Sequence, residues 1–325
     1  MFKKFEISLQ TVLLTLVILA GVWLVIEIRD ILFLVFISFL LMTAIHPVVL
    51  GLEKLRLPRA ISIILVYVVV LGFLGVTIAG SIPAIVVQST KLAQLLPDLI
   101  VRLLPYWDID LTTVTKQIAP LGENVVKVTV GIFTNIITTL TVLIFTFYFL
   151  LERRRAEVIL TDLFGGSIGK QITEILRRIE HRLGAWVRGE LILMSFIGVL
   201  TYIGLVLLKV EFALPLAIFA AILEIVPTIG PILSGVPAVL VGLATSPLLA
   251  LSVAALYFVI QQLENNFFVP FVMKQSVGLS PIVTILSLMI GGRLGGVTGA
   301  VLAVPVLLVI QVLFTTILQT KNPAK

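Results

Sequence analysis

Glu264 stands in QQLENN, residues 261–266, between the apolar runs LLALSVAALYFVI and FFVPFVM. Gln261, Gln262, Asn265 and Asn266 surround it with amide donors and acceptors. A carboxyl in such company can exchange a proton or a monovalent cation, and the amides can hydrogen-bond the hydroxyls of a small polar solute. A second carboxyl, Glu224, lies in LEIVPTIGP three residues before Pro227, with Thr228 adding a hydroxyl. After Glu211 these are the only acids, and Arg293, in GGRLGG, is the only cation within the hydrophobic segments of that region. Centring a charge in hydrocarbon costs at least about 2.5–3.5 kcal/mol on insertion scales, so such residues are functional candidates by default. The structural alternative is an ion pair of Glu224 or Glu264 with Arg293, and the two readings are compatible.

The solvent that makes these groups costly is set by composition. Hydrophobic residues make up 59% of the 325 and charged residues only 12%, and mean hydropathy is +1.21. Soluble domains carry about 25% charged residues, and apolar runs of 20 or so mark membrane spans. An all-α polytopic membrane protein of about six to eight spanning helices follows. The first run, TVLLTLVILAGVWLVIEI, is longer than a signal-peptide core and has no A-x-A-like site after it, so it reads as a retained span. The net charge of +6 fits basic loops on one membrane face, not nucleic acid.

Spans are expected at residues 10–28, 31–50, 60–80, 128–151 and 191–208, since about 20 residues cross the roughly 30 Å core. Only Arg29 and Asp30 separate the first two, which predicts a helical hairpin. This divides the chain into N-terminal spans (1–80), an outer amphipathic loop (81–127), a span (128–151), a basic amphipathic region (152–190) and a C-terminal transport core (191–320). Lys and Arg at residues 3–4, 54–59, 153–188 and 321–325 fall on one side, putting both termini in the cytoplasm.

The outer loop carries an amphipathic helix around residues 91–103, suited to a pore mouth, the membrane surface or a neighbouring subunit. In the basic region Ile172, Ile175, Leu176, Ile179, Leu183, Trp186 and Val187 line one face, opposite Glu174, Arg177, Arg178, Glu180 and Arg182. Such a helix suits anionic lipids, and equally suits packing on its own protein with a solvated outer face.

In the last third the apolar runs are broken twice. Pro227, Gly230 and Pro231 interrupt residues 212–245, and Gly291, Gly292, Gly295 and Gly296 interrupt residues 279–318. Each should form two half-helices joined by irregular backbone, because Pro removes a donor and Gly lets the chain open. Irregular backbone at membrane depth survives only inside protein or facing a hydrated cavity, and paired breaks point to a transporter's binding region. Between them Gln261, Glu264, Asn265 and Phe268 share one face of a helix, past its midplane but short of its far end, since the apolar FFVPFVM follows. A helix end at the headgroups is the alternative for that polar patch.

Enzyme signatures are absent. There is no Cys, and His46 and His181 have no partners at metal-ligand spacing. No phosphate loop or dinucleotide fingerprint is present, so neither cofactor nor metal is expected.

LEIVPTIGPILSGVPAVLVGL, QQLENNFFVPFVMKQSVGLSP and GGRLGGVTGAVLAVPV, in that order, resemble the signature of the autoinducer-2 exporter family of bacterial membrane proteins. The resemblance covers nearly the whole chain. It implies an oligomeric inner-membrane transporter, with some relatives exporting autoinducer-2 and others assigned Na⁺(Li⁺)/H⁺ antiport. By motif position Glu224, Pro227, Gly230, Pro231, Gln262, Glu264, Asn265 and Pro270 carry over. Thr228 stands where relatives often have an aromatic residue. Ser280 stands where they often have His, which counts against a histidine proton relay.

The first reading is therefore a gradient-driven secondary transporter exporting a small polar solute, with Glu264 and Glu224 coupling and Arg293 pairing with a carboxylate or an anionic group. A cation/proton antiporter is the second, and a non-transporting membrane scaffold the third. If the segment at 212–245 enters and leaves on the outer side, Lys274 is cytoplasmic; if it crosses once, Lys274 is outside. The positive-inside tendency favours the former. A Lys274→Cys variant should therefore resist an impermeant thiol reagent added outside the cell, and labelling from outside would reverse the assignment.

Overall fold

With no water to satisfy peptide groups, an apolar chain of this kind closes its hydrogen bonds within helices. The computed structural model describes residues 9–72, 136–227, 229–272 and 280–321, and every regular element among them is helical. The expected outer amphipathic helix, Thr228 and Lys274 lie outside the described residues. The helices are α1 (Leu9–Glu27), α2 (Arg29–Glu53), α3 (Arg59–Gly72), α4 (Ile136–Phe164), α5 (Gly166–Leu207), α6 (Ala213–Leu223), α7 (Ile229–Thr245), α8 (Pro247–Val272) and α9 (Pro281–Lys321). By length and composition α1, α2, α5 and α8 are long and apolar enough to cross a membrane, as is α9 when its residues are counted through the turn described below. The polytopic all-α fold expected from composition is the fold observed.

Two junctions differ from expectation. α1 and α2 do not form a hairpin. Ile28 donates to the Leu24 carbonyl at 3.0 Å and accepts from Leu32 at 3.0 Å, so the helical ladder runs through the junction. No Gly or Pro is present there to reverse the chain, and Arg29 and Asp30 stay exposed beside each other. The basic amphipathic region and the following span are likewise one helix. α5 runs 42 residues without interruption, about 63 Å at the standard rise.

α5 is the central element, packing on α2, α4, α6, α8 and α9. Ile179, Leu183 and Trp186 of α5 meet Leu40 of α2 and Leu302, Val304 and Leu308 of α9 in one core. Further along, Leu205 joins Leu216 of α6, Ala238 and Val241 of α7 and Val253 of α8. Glu180, expected on the solvated face, is buried instead, because Arg153 of α4 reaches it with Nε at 2.6 Å.

Both broken segments fold back. α6 and α7 pack on each other across the break at Pro227. α9 reverses at Gly295 and Gly296; Gly296 has φ +59°, a left-handed conformation that favours glycine. Beyond the turn the two arms approach until a Cβ on Gly291 would collide with the Gly299 carbonyl oxygen, and one on Gly299 with that of Gly291. At Gly292 the nearest atom to an added Cβ is that of Ala300 at 3.9 Å. Gly291→Ala should therefore cost about 1–3 kcal/mol of stability in detergent, and Gly292→Ala almost nothing. Equal thermal unfolding temperatures for the two variants would contradict this packing.

Candidate functional site

Three carboxyls, each from a different helix, converge where the broken segment meets α8. Glu224 caps the C-terminus of α6, donating its N–H to the Ala220 carbonyl at 3.1 Å. The helix stops there because Pro227 has no N–H to extend it. Pro231 lies in the first turn of α7, where the missing donor costs nothing. Gly230 makes the tight connection, since a side chain at that point would collide with the Leu223 carbonyl.

Glu264 opens a π-helical turn, Glu264–Phe268, within α8. Pro270 explains the turn: it cannot donate to Asn266, and its ring crowds that carbonyl. Widening relieves both, and Val269 N–H donates to the Glu264 carbonyl instead, five residues back. Phe268 in this turn stacks on Phe196 of α5, with ring centroids 5.0 Å apart and planes at 12°, which holds the turn against the central helix.

The extra residue in the turn changes which groups face inward. Glu264 is buried at 3% exposure and accepts a hydrogen bond from Gln261 Nε2 at 3.1 Å. Asn265, expected beside it on one face, is exposed, as are Gln262 and Asn266. Asn266 Nδ2 donates to the Gln262 carbonyl at 2.8 Å. Of the four amides, the structure brings only Gln261 to the acid.

The Glu224 and Glu264 carboxyls, both buried, lie within electrostatic reach of each other. Glu190 of α5 lies within electrostatic reach of both and is 4% exposed. One oxygen each of Glu190 (Oε1) and Glu224 (Oε2) is buried without a hydrogen-bond partner. Arg293 does not neutralise the cluster. It is exposed near the α9 turn and makes no ion pair with either acid among the described residues. The physical reason is placement: α9 packs on α5 with Leu40 of α2, whereas the acids come from α5, α6 and α8. Among the described residues no three His, Cys, Asp or Glu side chains are grouped closely enough to hold a metal ion.

Glu190 was not singled out from the sequence because it sits at the border of a basic loop and an apolar run. The signal was there, since Glu190 continues the buried stripe Leu183, Trp186, Val187 at i+7, i+4 and i+3. Tyr257 was also missed. Its hydroxyl is buried without a partner, and with Gln261 one turn on it lines a cavity of about 440 Å³ between α7 and α8.

The family model described as AI-2E family transporter matches residues 12–319. The chain belongs to that family. The AI-2E transporter fold is therefore multi-pass and membrane-embedded, in agreement with its apolar helices. Among curated relatives, "Putative transport protein YueF" of Bacillus subtilis (strain 168) is 29% identical over 320 residues, covering 91% of this chain and 86% of its own. YrrI of the same organism, similarly named, is 26% identical over 308 residues, with 89% and 86% covered. YhhT of Escherichia coli (strain K12) is 34% identical over 151 residues, 46% of this chain and 41% of its own.

An unsatisfied buried hydroxyl contributes nothing to stability. Tyr257→Phe should leave thermal stability in detergent unchanged or raise it by up to about 1 kcal/mol. A clear loss of stability would mean that the hydroxyl has a partner in the empty protein.

Proposed function

We propose that this family member is a proton-coupled secondary transporter of the inner membrane that exports a small polar solute, autoinducer-2 being the candidate. The carrying observation is the pair of buried carboxyls, Glu224 at the break in one helix and Glu264 at the π-turn of another. Two neighbouring buried carboxyls with no opposing cation among the described residues can both ionise only if another positive or polar group arrives, or if the site opens to water. That linkage is what coupling requires. Glu190 supplies a third carboxyl for the proton to visit.

The solute would occupy the cavity between α7 and α8, meeting Gln261 and the free Tyr257 hydroxyl, with Glu264 behind Gln261. Gln262, Asn265, Asn266 and Thr228 would contact it along its path. The Arg-rich ends of α4 and α5 would face the cytoplasm, as would both termini, and the folded-back segments would re-enter the membrane. A homo-oligomer would cover the exposed apolar faces.

A second reading, Na⁺(Li⁺)/H⁺ antiport, draws on the same acids. It is favoured by the paucity of inward-facing amides, since carboxylate oxygens suit a hard monovalent cation. Flux in proteoliposomes under an imposed pH gradient, with and without Na⁺ and with autoinducer-2 offered, separates the two. Solute movement independent of Na⁺ is expected. Cation-for-proton exchange without solute movement would establish the antiporter instead. Glu264→Gln keeps the shape and the hydrogen bonding but cannot titrate, so folded, inserted protein should no longer respond to the gradient. Normal transport by Glu264→Gln across the whole pH range would sink the coupling role.

A further inference from the structure

On the other side of α5 lies a second polar site of opposite sign. A cavity of about 480 Å³ opens between α2, α3, α4 and α5, with Arg59, Arg153, Arg154, Arg177 and Arg188 on its walls. Arg188 and Glu190 are two residues apart, a rotation of about 200° around the helix, so they project to opposite sides of it. The acid cluster and the basic cavity are thus back to back on α5.

The carboxylates near the cavity do not balance its arginines. Arg153 binds Glu180 and Glu157, the latter at 2.9 Å. Arg177 also holds Glu157, at 2.7 Å. Arg59 and Arg154 share Glu53, at 3.3 and 2.8 Å. Among the described residues Arg188 has no carboxylate partner, only long contacts to the Thr43 and Ala44 carbonyls at 3.3 and 3.5 Å. Among the described residues five guanidinium groups therefore face three carboxylates, leaving two positive charges unmatched. Arg59 keeps a second sign of vacancy, since its Nη2 is buried without an acceptor although Nε reaches the Leu150 carbonyl at 2.7 Å.

Guanidinium groups with free donors, gathered from three helices around an accessible space, match the several acceptor oxygens of a phosphate. We propose that this cavity is a binding site for a phosphate group, held by Arg188 and Arg59 with Arg154 at the rim. Phosphate in a membrane protein comes from two sources, the free ion and the headgroup of an anionic phospholipid. Both offer the same chemistry to these side chains. Arg154 is 73% exposed, which leaves an approach from the surface.

The test uses the full chain purified in an uncharged detergent, with thermal unfolding followed as inorganic phosphate is titrated against sodium chloride of equal ionic strength. The second arm compares the protein in vesicles of phosphatidylcholine alone and of phosphatidylcholine mixed with phosphatidylglycerol. A ligand that binds only the folded state raises the unfolding temperature with a saturating dependence. Stabilisation by phosphate in detergent identifies the free ion, and stabilisation only in phosphatidylglycerol vesicles identifies the headgroup. In either case Arg188→Gln should weaken the apparent affinity about tenfold or more. Arg154→Gln, at an exposed position and safe for folding, should weaken it as well, and decides the matter if Arg188→Gln fails to fold. Arg155→Gln, outside the cavity and 76% exposed, should change nothing. No saturable effect from either probe, or equal effects in wild type and in the Arg188 and Arg154 variants, would overturn the site and leave only surface screening.

Discussion

Everything described here hangs on one unbroken helix. α5 runs 42 residues and meets most of the other long elements along its length. A helix in an apolar medium closes its backbone hydrogen bonds internally, so its side chains alone decide what approaches. One stripe, from Ile179 through Trp186, is core against α2 and α9. The next residues divide by sign, with Arg188 turned to the α2 carbonyls and Glu190 buried towards α6 and α8. Further on, Ile197 packs with Ala220 and Ile260, which fixes α6 and α8 on either side of the acids.

The helices around this spine are irregular where the buried acids are. Glu224 ends a helix, Glu264 begins a π-turn, and Pro227 and Pro270 are the covalent causes of each irregularity. Breaking a ladder inside protein frees backbone groups and reorients side chains. Here it turns one acid of the QQLENN patch inward while Asn265 and Asn266 turn out. α9 also reverses, yet its Gly-lined turn carries Arg293 outward and contributes no charge to the acids.

Electrostatics separates the two polar sites. At the basic end, the Arg177 hydrogen bond, aided by Arg153, holds the Glu157 carboxyl below the usual carboxylate range against the opposing effect of its partial burial. Glu180, deeper, is pushed up by burial despite its contact with Arg153, so desolvation outweighs one guanidinium there. Such a buried pair contributes little net stability, but it fixes α4 against α5 in one register. Among the described residues the acid cluster has no guanidinium partner.

The sequence by itself determined the membrane environment, the all-helical architecture and the two breaks, and it singled out Glu224 and Glu264 as the acids of the last third. Each follows from local facts: run length, the missing proline donor, and the cost of a lone charge in hydrocarbon. It also carried the family motifs in order. What it could not decide was partnership. That Glu190 joins the two acids, that Arg153 buries Glu180, and that Arg293 stands apart depend on which faces of distant helices meet. That α1 runs on into α2, and that α5 has no joint at residue 190, depended on hydrogen-bond ladders that hydropathy does not report. The turn at Glu264 shows the limit most clearly. An ideal 3.6-residue period puts Asn265 on the inner face, and a single i+5 hydrogen bond, forced by Pro270, moves it out.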